Sequence, residues 1–161
     1  MGKVVTLEKA IDLANEIKQT GRTIVLAGGC FDILHIGHIK FLEKAKKQGD
    51  FLFILLENDD SVKKLKGENR PINSQSDRAQ ILSALQSVNF VVLLNKMESD
   101  SQYDDLIQKL KPDIIAVTQN DSQEVHAKRQ AKNINAKVVK VTDKIEDQST
   151  TRLAKLISEN F

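Results

Sequence analysis

The sequence predicts an α/β fold, a doubly wound parallel sheet of about five strands with helices on both faces. Two observations carry this. Short apolar runs alternate with helical patterns along nearly the whole chain. One of those runs, Phe51-Leu52-Phe53-Ile54-Leu55-Leu56, has no polar interruption, the pattern of a strand covered on both faces. The 161 residues and 40% hydrophobic content suit one domain with one core, spanning 1–161, with a helical segment at 1–21 ahead of a core at 22–161. Aromatics make up only 4%, so that core must be built from Leu, Ile, Val and Ala.

Taken in order, Leu7, Ile11, Ala14 and Ile17 recur at helical spacing, with Thr6 as an N-cap and Gly21 past the end. Residues 23–28 read as a buried strand. A helix follows His35 and runs to about Gln48, where Gly49-Asp50 marks a turn. The apolar run at 51–56 is the second strand, closed by Glu57-Asn58-Asp59-Asp60, after which Val62 to Pro71 reads as a basic segment. Residues 76–87 predict a helix with Ile81, Leu82, Ala84 and Leu85 inward. Phe90 to Leu94 is a third strand, Tyr103 to Leu110 a short helix stopped by Pro112, and Asp113 to Val117 a fourth strand. A polar helix at 122–133 leads to a fifth strand, Lys137 to Val141, whose alternation predicts a sheet edge. Ser149-Thr150-Thr151 caps a final helix carrying Leu153, Leu156 and Ile157.

The first predicted strand runs into Gly28-Gly29-Cys30-Phe31-Asp32-Ile33-Leu34-His35-Ile36-Gly37-His38 and then into a helix. Ligands of doubly wound sheets sit beyond the carboxyl ends of the strands, at the switch point, which is where this segment falls. A glycine-bearing turn opening a helix brings backbone N–H groups and a positive dipole end together, as a phosphate requires. His35 and His38 lie three apart on one helical face. Alone, such a pair is most often surface polarity or a cap; after a strand and a Gly-Gly turn it points to an anionic ligand. Lys63, Lys64 and Lys66 would be a solvated charge run in most proteins, and Ser149-Thr150-Thr151 is most simply a helix cap.

The remaining composition excludes several classes. A net charge of +2 is too mild to argue for nucleic acid. No segment reaches the roughly 18 apolar residues of a membrane span, and a soluble, cytoplasmic protein is the default reading. The single cysteine, Cys30, excludes an internal disulfide and a Cys-based zinc site.

Several motifs occur together in order: Val4 to Glu8, Gly29 to His38, Gly49-Asp50, Ser61 to Gly67 with Arg70 to Asn73, Arg78, and Ser149 to Thr151. Together they resemble the nucleotidyltransferase superfamily with its H-x-G-H signature, a Rossmann-like fold. The chain looks most like the adenylyltransferase domain of the heptose-phosphate enzymes of ADP-heptose synthesis, and is similar, more distantly, to glycerol-3-phosphate cytidylyltransferase. The resemblance implies attack by a phosphate monoester, such as a sugar 1-phosphate, on the α-phosphate of a nucleoside triphosphate, with release of pyrophosphate. It implies His35, His38 and Lys66 as catalytic groups. It implies Gly28, Gly29, Cys30, Phe31, Asp32, Gly37, Arg78, Ser149, Thr150 and Thr151 around the nucleotide, with Asp32 able to hold a loop. Lys63, Arg70, Thr118, Gln119 and Asn120 would line the substrate pocket. Magnesium would ride on the nucleotide phosphates, with no protein ligand assigned. A homodimer is compatible with the resemblance, although no heptad or apolar stripe supports one. His35-Ile36-Gly37-His38 also matches the signature of class I aminoacyl-tRNA synthetases, but the chain is far too short for their tRNA-docking parts.

The match departs from the heptose-type pattern after the fourth strand, where Lys-Gly-Gly-Asp is usual. Here Val117-Thr118-Gln119-Asn120-Asp121 stands instead. The base, ATP against CTP, and the acceptor therefore stay open, as does a nucleotide-binding module without turnover.

Overall fold

The computed structural model describes residues 2–119 and 123–142. In chain order its elements are β1 (Lys3–Val5), α1 (Leu7–Gln19), β2 (Ile24–Gly29), α2 (Ile36–Lys46), β3 (Phe51–Leu56), α3 (Asp59–Lys66), α4 (Gln75–Ser83), β4 (Phe90–Leu93), α5 (Asp100–Leu110), β5 (Ile114–Thr118), α6 (Glu124–Ile134) and β6 (Lys137–Thr142). The strands form one six-stranded sheet in the order β1-β4-β3-β2-β5-β6, parallel throughout. Among the described residues no helix is long and apolar enough to cross a membrane.

Period-2 alternation along the central strands explains the two covered faces. Ile24, Leu26, Phe53 and Leu55 pack with Ala10 and Ala14 of α1, Leu106 and Leu110 of α5, and Ala127 and Ala131 of α6. Val25, Ala27, Leu52 and Ile54 pack with Phe41, Leu42 and Ala45 of α2 and Ala79 and Leu82 of α4. The chain moves from β2 through β3 to β4 on one side, then crosses to β5 and β6 on the other. The β2–β3 ladder continues to Gly29↔Leu56, whereas the β2–β5 ladder stops at Leu26↔Ile115. Beyond Leu26 the two strands are no longer paired, and this is the switch point at which doubly wound sheets form their ligand crevice.

The sheet has one strand more than expected. β1 is three residues long and only its last residue is partly buried, too short for alternation to register in the sequence. The fifth expected strand, β6, does lie at an edge. The basic segment from Val62 begins inside a helix, α3. Asn58 caps it by accepting from the Ser61 amide at 2.7 Å; Asp59 and Asp60 sit in its first turn and Lys63, Lys64 and Lys66 in its last, which complements the helix dipole. α4 ends at Ser83 rather than near 87, and the expected inward face is partly wrong. Ala79 and Leu82 are buried while Ile81 is 44% exposed and Ala84 is exposed, because the face that α4 buries is Arg78, Ala79, Leu82 and Ser83, which leaves Ile81 off it, and Ala84 falls past the helix end.

Candidate active site

β2 ends where the crevice opens. A Cβ on Gly29 would lie 2.9 Å from Phe31 Cε2, while one on Gly28 would meet nothing nearer than Leu55 at 3.8 Å. The Phe31 ring is buried and packs against the His38 ring, 5.3 Å between centroids, so it has little room to yield. Gly29 is therefore demanded by the fold. Gly28 is not, and it is exposed at the mouth of the strand.

The two histidines are built into the start of α2. His35 is its N-cap: Nδ1 of His35 accepts from the Gly37 amide at 3.1 Å, and Nδ1 of His38 accepts from the His35 amide at 3.4 Å. The rings lie 3.9 Å apart between centroids. A neutral imidazole carries one N–H, so these bonds assign the proton to Nε2 in both rings. The Gly37 amide is thus not bare, as the sequence suggested. It is taken up by the ring: the amide donates to His35 Nδ1, which leaves the imidazole proton on Nε2. Burial, together with the neighbouring His35, pushes His38 down to about 4, and burial also lowers His35. Both are neutral donors at pH 7.

This arrangement makes stability depend on pH. His38 is held neutral in the fold but takes a proton near pH 6.5 when unfolded. The contribution is fully present above pH 6.5 and is lost as pH falls from there toward 4, at most about 3 kcal/mol. The urea midpoint of the wild type is expected to drop between pH 7 and 5, and the drop to shrink in His38→Asn. Equal slopes in the two proteins would assign the acid sensitivity elsewhere.

Asp32 and Arg78 serve the scaffold. Asp32 is 2% exposed and accepts from the Ile72 and Asn73 amides at 2.8 and 2.9 Å and from Arg70 Nε at 2.5 Å, while Asn73 Nδ2 returns a bond to its carbonyl. Burial pushes its carboxyl up, but the Asn73 and Ile72 amides and the Arg70 guanidinium outweigh this and hold it below the usual range. Asp32 thus holds the 70–73 loop, and Arg70 is spent on it instead of lining an open pocket. Arg78, expected at a phosphate, is 0% exposed. Its guanidinium donates to the carbonyls of Asn73, Cys30 and Glu57 and to Asp59 Oδ1. It ties the ends of β2 and β3 to the start of α4 and has no face toward a ligand.

The remaining expected residues divide. Lys66 ends α3 exposed, and its charge acts on the Cys30 thiol just past β2, which burial pushes up and Lys66 pulls down. Lys63 instead pairs with Glu68 at 2.7 Å on the surface. Thr118 ends β5 at the far wall of the crevice, and the Gln119 amide donates to the Thr142 carbonyl. Asn120, Ser149, Thr150 and Thr151 lie outside the described residues. Among the described residues no group of three or more His, Cys, Asp or Glu is placed to hold a metal.

One pair at this end of the sheet was not singled out from the sequence. Glu57, the first residue past β3, receives the Tyr103 hydroxyl at 3.0 Å from both carboxylate oxygens. Burial raises its carboxyl above the usual range, against the Tyr103 and Ser61 hydroxyls and the Arg78 charge. The available signal was position alone: the residue after a buried parallel strand, at its carboxyl end.

The comparisons agree with this architecture. The family model described as cytidylyltransferase-like matches residues 26–156. Among curated proteins, the bifunctional protein HldE of Aliarcobacter butzleri is 43% identical over 157 residues, 98% of this chain and 31% of that protein. HldE of Campylobacter fetus is 40% identical over 151 residues, 94% of this chain and 30% of its own. The chain therefore spans less than a third of these relatives. Among solved structures, the lipopolysaccharide core biosynthesis protein of Thermoplasma volcanium superposes with a TM-score of 0.61 at 29% identity, covering 76% of this chain and 98% of that one. Pantoate-β-alanine ligase of Francisella tularensis, at 19% identity and a TM-score of 0.66 over 99% of this chain and 78% of its own, shares the fold. With a matched model over most of its length, and relatives above 30% identity across nearly all of it, the chain belongs to the cytidylyltransferase-like family.

Proposed function

We propose that the chain is a nucleotidyltransferase that moves AMP from ATP to a sugar 1-phosphate and releases pyrophosphate. The observation that carries it is the histidine pair: two neutral imidazoles at the start of α2 whose Nδ1 atoms accept from backbone amides, which leaves each ring its proton on Nε2. The HldE relatives are named bifunctional, and one of their two activities would reside in the third of their length that this chain matches. The likeness to a lipopolysaccharide core biosynthesis protein favours a sugar phosphate as acceptor.

In this reading a phosphate-monoester oxygen attacks the α-phosphorus in line, and the bond from that phosphorus to the bridging β-oxygen breaks. The attacking oxygen is already anionic, so no base is needed. The site supplies positioning and charge stabilisation. The Nε2–H groups of His35 and His38 donate to phosphate oxygens whose charge grows as pyrophosphate leaves. Lys66 adds a cation on the α3 side, and Gly28 leaves room for the nucleotide. Magnesium entering with the triphosphate would neutralise phosphate charge, and no protein ligand is assigned to it. The setting is taken as cytoplasmic, with small-molecule partners and no nucleic acid.

The test is pyrophosphate release with magnesium, crossing ATP, CTP, GTP and UTP with heptose, glycerol, pantetheine and other phosphates. ATP with a sugar 1-phosphate is the pair expected to turn over. Turnover with CTP and glycerol phosphate would replace this reading by a cytidylyltransferase. Tight ATP binding with silence across the grid would replace it by a binding module.

A further inference from the structure

We propose that Glu57, held by Tyr103, is the specificity element for the acceptor: its carboxylate receives the hydroxyl groups of a polyhydroxylated phosphate ester. The inference rests on the nucleotidyl-transfer reading and adds which end of the site takes the acceptor.

Three observations carry it. First, placement. Glu57 directly follows β3, and its amide donates to the Gly29 carbonyl at 3.2 Å, so it stands beside the end of β2. Alternation puts it on the same face as Phe53 and Leu55, the face of α5, whereas α2 and its histidines lie over the other. In-line displacement requires the attacking and leaving oxygens on opposite sides of the α-phosphorus. With the pyrophosphate gathered at the α2 histidines, the acceptor enters from the α5 side, where Glu57 is.

Second, capacity. A carboxylate offers about four acceptor positions. The single Tyr103 proton is shared between its two oxygens, and Ser61 supplies another donor. Arg78 bonds the Glu57 backbone carbonyl, not its carboxylate. Positions remain for incoming hydroxyls, and a carboxylate already stripped of much of its water gains more from each donor than an exposed one. Its raised pKa is consistent with that shortage of donors.

Third, sign. A negative group repels phosphate, so it marks a part of the crevice meant for something uncharged that donates. Lys66, whose charge reaches the same corner through Cys30, supplies the opposite sign for the acceptor's own phosphate. A cation at the end of α3 and a hydroxyl-accepting carboxylate past β3, both acting on the Cys30 thiol, suit a phosphorylated sugar, and suit glycerol phosphate less, which has fewer hydroxyls to offer.

Tyr103 is a positioning residue. Its hydroxyl straddles both carboxylate oxygens and fixes the rotamer of Glu57.

The experiment measures KM for ATP and for a sugar 1-phosphate, and calorimetric affinity for each, in wild type, Glu57→Gln and Tyr103→Phe. Glu57→Gln is expected to raise the sugar-phosphate KM at least 10-fold with the ATP KM unchanged. Tyr103→Phe should raise it several-fold in the same direction. A deoxy analogue of the sugar should bind wild type as weakly as the full sugar binds Glu57→Gln, and lose little more in the variant. Loss of ATP affinity instead would assign the carboxylate to the nucleotide's ribose and overturn the proposal, as would unchanged sugar-phosphate affinity in a folded variant. The two readings fail separately. Sugar-phosphate binding that depends on Glu57, without turnover in wild type, would retain this inference and remove the transferase; turnover indifferent to Glu57 would do the reverse.

Discussion

Replacing His38 with alanine is expected to lower kcat/KM by at least 100-fold, about 2.7 kcal/mol of transition-state stabilisation, the usual loss for one preorganised donor. The loss should fall mainly on kcat, because in the proposed reaction the Nε2–H bond would strengthen as charge moves onto the leaving pyrophosphate. His38 also accepts from the His35 amide, so the variant loses part of the α2 cap, about 1 kcal/mol. A thermal melt beside the kinetics separates the two, since a cap loss of that size leaves the protein folded and cannot produce a hundredfold effect. His38→Asn keeps an acceptor for the amide and should recover stability without recovering rate. Near wild-type turnover in His38→Ala would remove the histidine pair from the mechanism.

The second large effect is on stability. Arg78→Ala is expected to destabilise the fold by about 3 kcal/mol or more, the range seen when a buried charged group is taken from its partners. Three carbonyls and one carboxylate oxygen lose their donor at once. The Asp59 carboxylate, 49% exposed, can turn to water; the carbonyls of Cys30, Asn73 and Glu57 are less free to do so, and an unsatisfied buried acceptor costs about 1–3 kcal/mol. Lysine should rescue little, because one ammonium cannot span sites that a planar fork with five N–H groups reaches. Urea unfolding gives the answer: the midpoint should fall with the slope preserved. A stable Arg78→Ala that had lost only ATP binding would return the residue to the phosphate role first expected of it.

That expectation shows where sequence reasoning reached and where it stopped. The central strands were legible because burial on both faces writes a continuous apolar run, as in Phe51 to Leu56. The histidine pair was legible because a strand, a glycine turn and a helix start leave a local signature. Asp32 was read as able to hold a loop, and it does. Arg78 was misread because its guanidinium satisfies carbonyls from three separate segments, Cys30, Glu57 and Asn73, which only the folded chain brings together. Glu57 and Tyr103 lie 46 residues apart in sequence, and nothing local to either announces the other. Ile81 and Ala84 misled for a smaller reason: α4 turns Arg78, Ala79, Leu82 and Ser83 inward, a face that a buried arginine hides from apolar spacing and that excludes Ile81, and the helix ends before Ala84.

The sheet's two margins bear on how copies of this chain meet. β1 offers three residues, beginning with Lys3, and β6 carries a register irregularity opposite Val117 and Thr118 with exposed Lys137 and Lys140 along it. Short, charged and irregular margins make poor templates for a neighbour's backbone. A strongly apolar sheet is thereby kept from growing by accretion, strand upon strand, into larger aggregates. If two copies associate, the described margins leave that task to helix surfaces, where side chains and not peptide groups decide the match. Such a contact would leave the crevice at the carboxyl ends of the strands free in both copies.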